Sequence, residues 1–261
     1  MKGPAMDGLR PLDPALQRVS GGAPRARWRR LASPPVFHHW AGRALPWFAA
    51  LAGVLAAAGL FVGFVVAPTD HQQGEVYRII FIHVPAAWMS MFIYLVAALH
   101  AGLGLVFHTR LSPLMARALA PTGALFTVIA LWTGMAWGKP TWGTWWVWDA
   151  RLTSELILLF LYLGYLGLVS AIDDPRRADR AGAILLLAGV VNVPIIYFSV
   201  QWWSTLHQGA SISFTAAPTM ARTMVLGLLL MALACWAYSV AAALARVRCL
   251  IAERDALARG A

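Results

Sequence analysis

Six apolar stretches near 20 residues, each long enough to cross a hydrocarbon core of roughly 30 Å, run through this 261-residue chain. They cover residues 46–66, 84–106, 119–137, 152–172, 181–200 and 223–243. Inside lipid every backbone N–H and C=O needs an internal partner, so only helices and closed barrels span. A barrel would be written as alternating segments of about ten residues, and nothing here alternates over such lengths. The chain is therefore predicted to be an all-α polytopic membrane protein, a six-transmembrane-helix bundle. Its residues are 60% hydrophobic and only 12% charged, whereas soluble domains run about 45–50% and about 25%. So sparse a charge cannot coat a soluble enzyme, and a disordered chain or a nucleic-acid module is excluded with it.

The cations set the topology. Lys2, Arg10, Arg18, Arg25, Arg27, Arg29, Arg30 and Arg43 precede the first span, and Arg110 and Arg117 occupy the second loop. Arg176, Arg177 and Arg180 occupy the fourth, and Arg246, Arg248, Arg254 and Arg259 the C-terminal tail. Only Arg78, Lys139, Arg151 and Arg222 fall on the other side. The positive-inside rule then puts both termini in the cytoplasm and loops one, three and five outside. The net charge of +10 thus signals topology and membrane lipid, with no nucleic acid as partner. The organisation expected is a disordered cytoplasmic N-terminal tail over 1–45, lying near anionic lipid, a membrane domain over 46–243, and a cytoplasmic C-terminal tail over 244–261. A cleaved targeting segment fits poorly, because the first apolar run is of spanning length and no A-x-A site follows it. A start at Met6 or beyond is the alternative for the tail. Cys235 and Cys249 make neither a disulfide framework nor a CxxC pair.

The outward loops carry the chemistry. Loop three, residues 139–152, places Trp142, Trp145, Trp146 and Trp148 within seven residues, bounded by Gly143 and Asp149. An aromatic belt explains one or two indoles at a helix end, not this cluster. If the segment is helical, Trp142, Trp145, Trp146 and Asp149 share one face. It would then lie in the interface plane with its indoles open to a flat apolar ligand. Arg151 and Glu155, four apart, are spaced for an ion pair. Arg151 is equally suited to offer its planar fork to a ligand carboxylate.

Seven histidines sort by side. His38 and His39 in the tail, His108 at the cytoplasmic end of the second span and His71 beside Asp70 read as solvated or idle. His100, inside the second span, is expected to hydrogen-bond between helices. His83, where the second span enters the membrane, and His207, after Trp202 and Trp203, sit in apolar or aromatic sequence near one membrane surface. Two imidazoles from different loops flanking a tryptophan platform are what a bis-histidine haem site requires, with a cation for the propionates. A zinc or copper site with Asp149 or Glu155 as third ligand is the alternative, although no HxxxH, HxxEH or CxxC spacing supports it. There is no Walker A loop for ATP hydrolysis.

The run from Trp142 to Glu155, WGTWWVWDARLTSE, closely resembles the WWD signature of the haem-handling proteins of cytochrome c maturation. Six spans, a length under about 300 residues and one flanking histidine in each of loops one and five resemble the CcmC family in particular. Larger relatives, such as CcmF and the CcsA type, share the signature but differ in helix count or carry extra domains. The resemblance covers about residues 45–245, and the long arginine-rich tail departs from the usual pattern. It implies a multi-pass protein of the bacterial inner membrane whose WWD loop faces the periplasm. There it would hold haem b as a transported ligand and pass it to the haem chaperone CcmE, beside CcmD, with the ABC subunits CcmA and CcmB as further partners. Carried over, the axial ligands fall on His83 and His207, and the platform on Trp142, Trp145, Trp146 and Trp148 with Asp149 closing the motif. Such a protein handles haem and is no enzyme, the covalent chemistry belonging to haem and acceptor. A b-type electron-transfer protein would need histidine pairs deep in the membrane, where only His100 lies. A haem transporter proper would break helices near the midplane in both halves, for which Pro194 is the one strong candidate.

Overall fold

The structure, a computed structural model, describes residues 33–207, 209, 212 and 217–260. The arginine-rich residues 1–32, including the WRR cluster at 28–30, lie outside the described residues. Among the described residues seven α-helices follow one another: α1 Pro34–Phe61, α2 Ile80–Phe107, α3 Leu111–Trp142, α4 Ala150–Ala171, α5 Pro175–Gly189, α6 Asn192–Trp202 and α7 Arg222–Gly260. Among the described residues there is no β-strand. With α5 and α6 counted as one interrupted span, six helices are long and apolar enough to cross a membrane. The all-α six-span fold therefore stands as read.

Two helix ends do not coincide with the apolar runs. α1 begins at Pro34, twelve residues before the first apolar run at 46, and passes through Pro46 without breaking. A proline in the first turn costs nothing, because its missing N–H would have been unpaired anyway. At the other end α7 runs on to Gly260 instead of stopping near residue 243. Val247 and Ile251 on this extension pack against Leu114 and Ala118. Arg254 grips Asp179 through both carboxylate oxygens at 2.7 and 2.9 Å, and Arg246 donates to the Ala118 carbonyl and to Thr122. Hydropathy reports the stretch that crosses lipid, whereas a helix continues as long as it finds partners.

The largest core lies where α2, α3, α4, α5 and α6 meet, around Tyr94, Leu158, Tyr162, Leu186 and Ile196. α1 lies along α7 and buries little more than Ala41, Ala52 and Gly59. The fifth span is broken at Val190–Val191, where the bonds Val190 N–H to Leu187 (3.3 Å) and Val193 N–H to Val190 (3.1 Å) tighten to three-residue spacing. Pro194 explains this, since it lacks an N–H and its ring crowds the carbonyl four residues back. α1, α2 and α3 run unbroken through Pro46, Pro85 and Pro121. Among the described residues no other span is interrupted at a proline, and the first ends in a π-helical stretch, Val62–Val66. At the arginine-rich end Asp174 caps α5, accepting from the N–H groups of Arg176 and Arg177 at 2.8 Å each. The Arg177 N–H above all holds that carboxyl below its ordinary range.

Candidate functional site

At the end of the bundle opposite the arginines, three loops meet. α3 stops at Trp142 because Gly143 adopts a left-handed conformation (φ 80°), its N–H reaching back to Lys139 O at 3.1 Å. Such a stop suits glycine, which has no Cβ to clash. α4 starts at Asp149, whose carboxylate accepts the Leu152 N–H at 2.8 Å, satisfying a donor left over at the helix start. Between these signals residues 143–149 are not helical. Trp142, Trp145, Trp146 and Asp149 therefore do not form the helical face that their spacing suggested, because a stop and a start outweigh periodicity. The loop folds instead over a cleft open to one side.

His83, Trp137, Trp142, Trp145, Trp146 and His207 line this cleft, with Asp149, Arg151 and Glu155. Trp148 does not line it. It is 76% exposed and stands edge-on behind Trp146 at 5.3 Å between ring centroids.

His83 is buried on α2. Its Nδ1 lies 3.0 Å from the Ala130 carbonyl and 3.0 Å from Thr133 Oγ1. The Thr133 hydroxyl hydrogen is already committed to Ile129 O at 2.6 Å, and a carbonyl can only accept. Nδ1 must therefore carry the proton, which leaves Nε2 bare and available to a metal. Gly134 makes room for the ring, since a Cβ there would sit 3.1 Å from His83 Cε1. Trp137 stands edge-on to His83 at 5.7 Å, its Nε1–H donating to Gln73 Oε1 at 2.7 Å. Trp137, Gln73 and Gly134 were not anticipated: a Trp and a Gly inside an apolar span and a Gln in a polar loop carry no signal of their own. Loop one is itself held in place. Arg78 donates to Gly63 O and Ala67 O at 2.6 and 3.1 Å, and Asp70 accepts the N–H groups of Gln72 and Gln73. His71 is exposed, as read.

The His207 ring centroid lies 6.1 Å from that of His83, the planes inclined by 37°, and 6.3 Å from Trp142. A metal–imidazole bond is about 2 Å and the bonded nitrogen lies about 1 Å from its ring centre, so two imidazoles on opposite sides of one metal stand about 6 Å apart. The pair has that spacing. Among the described residues no group of three or more His, Cys, Asp or Glu converges on a metal position. Of the third ligands considered for zinc or copper, Asp149 caps α4 through one carboxylate oxygen and Glu155 accepts from Ser90.

Arg151 and Glu155 do not pair; among the described residues the ion pairs are Arg78–Glu75 and Arg254–Asp179. Arg151 donates to the Ile196 carbonyl on α6 at 2.6 Å. Glu155 is buried against Ser90 on α2, Oγ to Oε1 2.8 Å. Spacing on one helix made the pair feasible, and partners on neighbouring helices won. His100 Nδ1 is buried without a hydrogen bond, so the interhelical bond expected of it is not made there. Trp146 Nε1 and Asp149 Oδ2, both on cleft-lining residues, are likewise buried and unpartnered. Polar atoms left so are costly unless a ligand completes them.

Fold and site together define a class: a six-span helical membrane protein with a tryptophan-walled cleft between two facing histidines at one end. Residues 27–260 match the family model described as "Heme exporter protein C", CcmC. The chain is 56% identical over 182 residues to the "Heme exporter protein C" of Escherichia coli, covering 70% of this chain and 74% of that protein. It is 50% identical over 205 residues to the one of Bradyrhizobium diazoefficiens (78% and 77%), and 49% over 199 residues to the one of Haemophilus influenzae (76% and 81%). The chain belongs to the haem exporter protein C family.

Proposed function

We propose that the cleft holds haem b as cargo, ligated by His83 and His207, at the periplasmic face of the bacterial inner membrane, and hands it to the chaperone CcmE for cytochrome c maturation. CcmA, CcmB and CcmD are the partners in this reading, forming a CcmABCD haem export and loading complex. The observation that carries it is the facing pair of imidazoles, 6.1 Å between centroids, inside a cleft walled by indoles. His83 offers Nε2 because its Nδ1–H is anchored to Ala130 O. Trp142, Trp145 and Trp146 keep water from the porphyrin, and Trp148 backs Trp146. Arg151, already lining the cleft, supplies positive charge for a propionate, and Asp149 holds the turn that carries the indoles. Haem supplies the vinyl group and iron that the chaperone takes. This chain's part is to bind, orient and release, with no covalent step of its own.

Absorption spectra of the purified protein test the reading. The native chain is expected to show six-coordinate low-spin haem, and His83→Ala and His207→Ala each to lose it. Low-spin bis-histidine spectra in both variants would overturn the axial assignment.

A further inference from the structure

Arg246, Arg248 and Arg254 stand on the extension of α7, at the end remote from the cleft, and their surroundings differ. Arg246 donates to Ala118 O and Thr122, and Arg254 holds Asp179. Arg248 has no such partner: among the described residues no carboxylate pairs with it, and its Nε is buried without a hydrogen bond. A cation taken partly out of water without an acceptor is costly, so the place calls for an anion.

The place itself is a close approach of two helices. α1 runs antiparallel to α7, so that Gly59 meets Met231 within the pair and Gly42 meets Arg248 near its end. A Cβ on Gly42 would stand 3.1 Å from Arg248 Cζ, 3.2 Å from Nη2 and 3.3 Å from Nε. Distances so nearly equal mean that the guanidinium lies flat across α1, where only glycine leaves the room. Of its nitrogens Nε alone is both buried and unpartnered, so the Nη edge stays accessible.

Depth identifies the anion. Gly42 lies four residues before the apolar run of α1 and Arg248 five residues after that of α7, about 6 and 8 Å along the helix axes. The headgroup layer outside a hydrocarbon core of roughly 30 Å is about 5–8 Å thick on each side. Trp40 and Trp47 on α1 bracket the same level, 58% and 78% exposed, as indoles at a membrane interface are. α1 meets the bundle chiefly through α7, and only 11% of its most apolar stretch is buried. Along most of its length the pair therefore faces lipid.

We propose that Arg248, seated on the α1 backbone at Gly42, binds the phosphate of an anionic phospholipid in the leaflet at the arginine-rich end, cytoplasmic by the positive-inside rule. The Nη edge donates to two phosphate oxygens, a geometry that a planar fork supplies and an ammonium does not. Arg43 follows Gly42 and stacks over Trp40 at 5.9 Å, so a headgroup with a cation of its own is disfavoured and one without is preferred. The lipid fastens this end of α1 to α7, whether or not the cleft is filled.

The test is native mass spectrometry of the full-length chain released from nanodiscs of phosphatidylglycerol and phosphatidylcholine, with melting curves in detergent supplemented with either lipid or with inorganic phosphate. The native chain is expected to retain phosphatidylglycerol in preference to phosphatidylcholine and to melt higher with it. Arg248→Met and Gly42→Leu, whose side chain would take the guanidinium's place, are each expected to lower that retention about tenfold, as loss of a charge-assisted hydrogen bond does. Arg248→Lys, which keeps the charge without the fork, is expected to fall between Arg248→Met and the native chain. Arg180→Met removes an exposed cation from the same end and is expected to retain lipid as the native chain does. Should Gly42→Leu fail to fold, the three arginine variants still decide. Undiminished retention by Arg248→Met, an equal loss in Arg180→Met, or equal retention of the two lipids overturns the site. A melting shift with inorganic phosphate as large as that with phosphatidylglycerol also overturns it, making the notch a site for the free anion.

Discussion

His83 and His207 face each other across 6.1 Å, yet the two sides of the cleft are built in opposite ways. His83 belongs to the first turn of a 28-residue helix, with its tautomer set by α3, one edge against Trp137 and Gly134 beneath it. His207 comes five residues beyond an 11-residue helix that itself follows a break. α6 packs on α4, with Arg151 and Asn192 joining the two helices through Ile196 O and Ser154 O. One imidazole is part of the core and the other is brought to it. In the haem-loading reading, release therefore begins on the His207 side.

The largest effect that can break this contrast comes from deleting each histidine and offering free imidazole. His207→Ala opens a gap on the loop side, and added imidazole is expected to restore the low-spin spectrum. His83→Ala opens a gap closed in by α3 and Trp137, where imidazole is expected to fail and co-purified haem to fall by at least about tenfold. Equal rescue of both would mean that the sides do not differ in access.

Gly134→Ala sharpens the same point from inside the core. The added Cβ would meet His83 Cε1 at 3.1 Å, and a ring locked by Ala130 and Thr133 has little room to yield. Overpacking of this kind costs about 1–3 kcal/mol, offset by about 1 kcal/mol from alanine's helix propensity. Melting temperature is expected to change little while haem affinity drops several-fold. An unchanged affinity would show that the His83 ring is freer than its contacts imply.

How far these features could be read in the chain follows the same division. Lipid-crossing length is a property of composition, so the six spans were legible, whereas the run of α7 beyond residue 243 depends on partners such as Leu114 and Asp179. Gly143 and Asp149 were readable stop and start signals, yet the tempting period of Trp142, Trp145, Trp146 and Asp149 obscured them. His83 and His207 stood out by their chemistry. Gly134, Trp137, Gln73 and Ser90 did not, being ordinary residues whose role exists only in the packed bundle. The expected Arg151–Glu155 pair was misjudged because a carbonyl on α6 and a hydroxyl on α2 compete for the two side chains, and neither is visible from spacing on one helix.

Arg151→Met tests the join between α4 and α6. The lost charge-assisted hydrogen bond to Ile196 O is worth about 1.5–3 kcal/mol, and methionine keeps the apolar stem packed. The expected result is haem dissociation several-fold faster with the bis-histidine spectrum retained, because the effect reaches the site through the element that carries His207. The same substitution removes the cation proposed for a propionate, so the comparison ligand is the haem dimethyl ester, which has no carboxylates. If Arg151 acts through α6, ester and acid dissociate faster by similar factors. If it acts on the propionate alone, the ester is unaffected.

The smallest effect is expected at the turn between the platform and α4. Asp149→Ala removes the cap on Leu152 N–H, worth about 1 kcal/mol, and removes a buried Oδ2 that has no partner. Asp149→Asn keeps a capping oxygen but replaces the negative charge at the helix start, where the dipole favours an anion. If Asp149 serves only to start the helix, asparagine is expected to restore both melting temperature and haem content. If the unpartnered oxygen serves the cargo or its chaperone, asparagine restores the melting temperature alone, and loading of the chaperone stays low. The second outcome would make the tryptophan loop a docking surface on the His207 side, where the cleft is built to open.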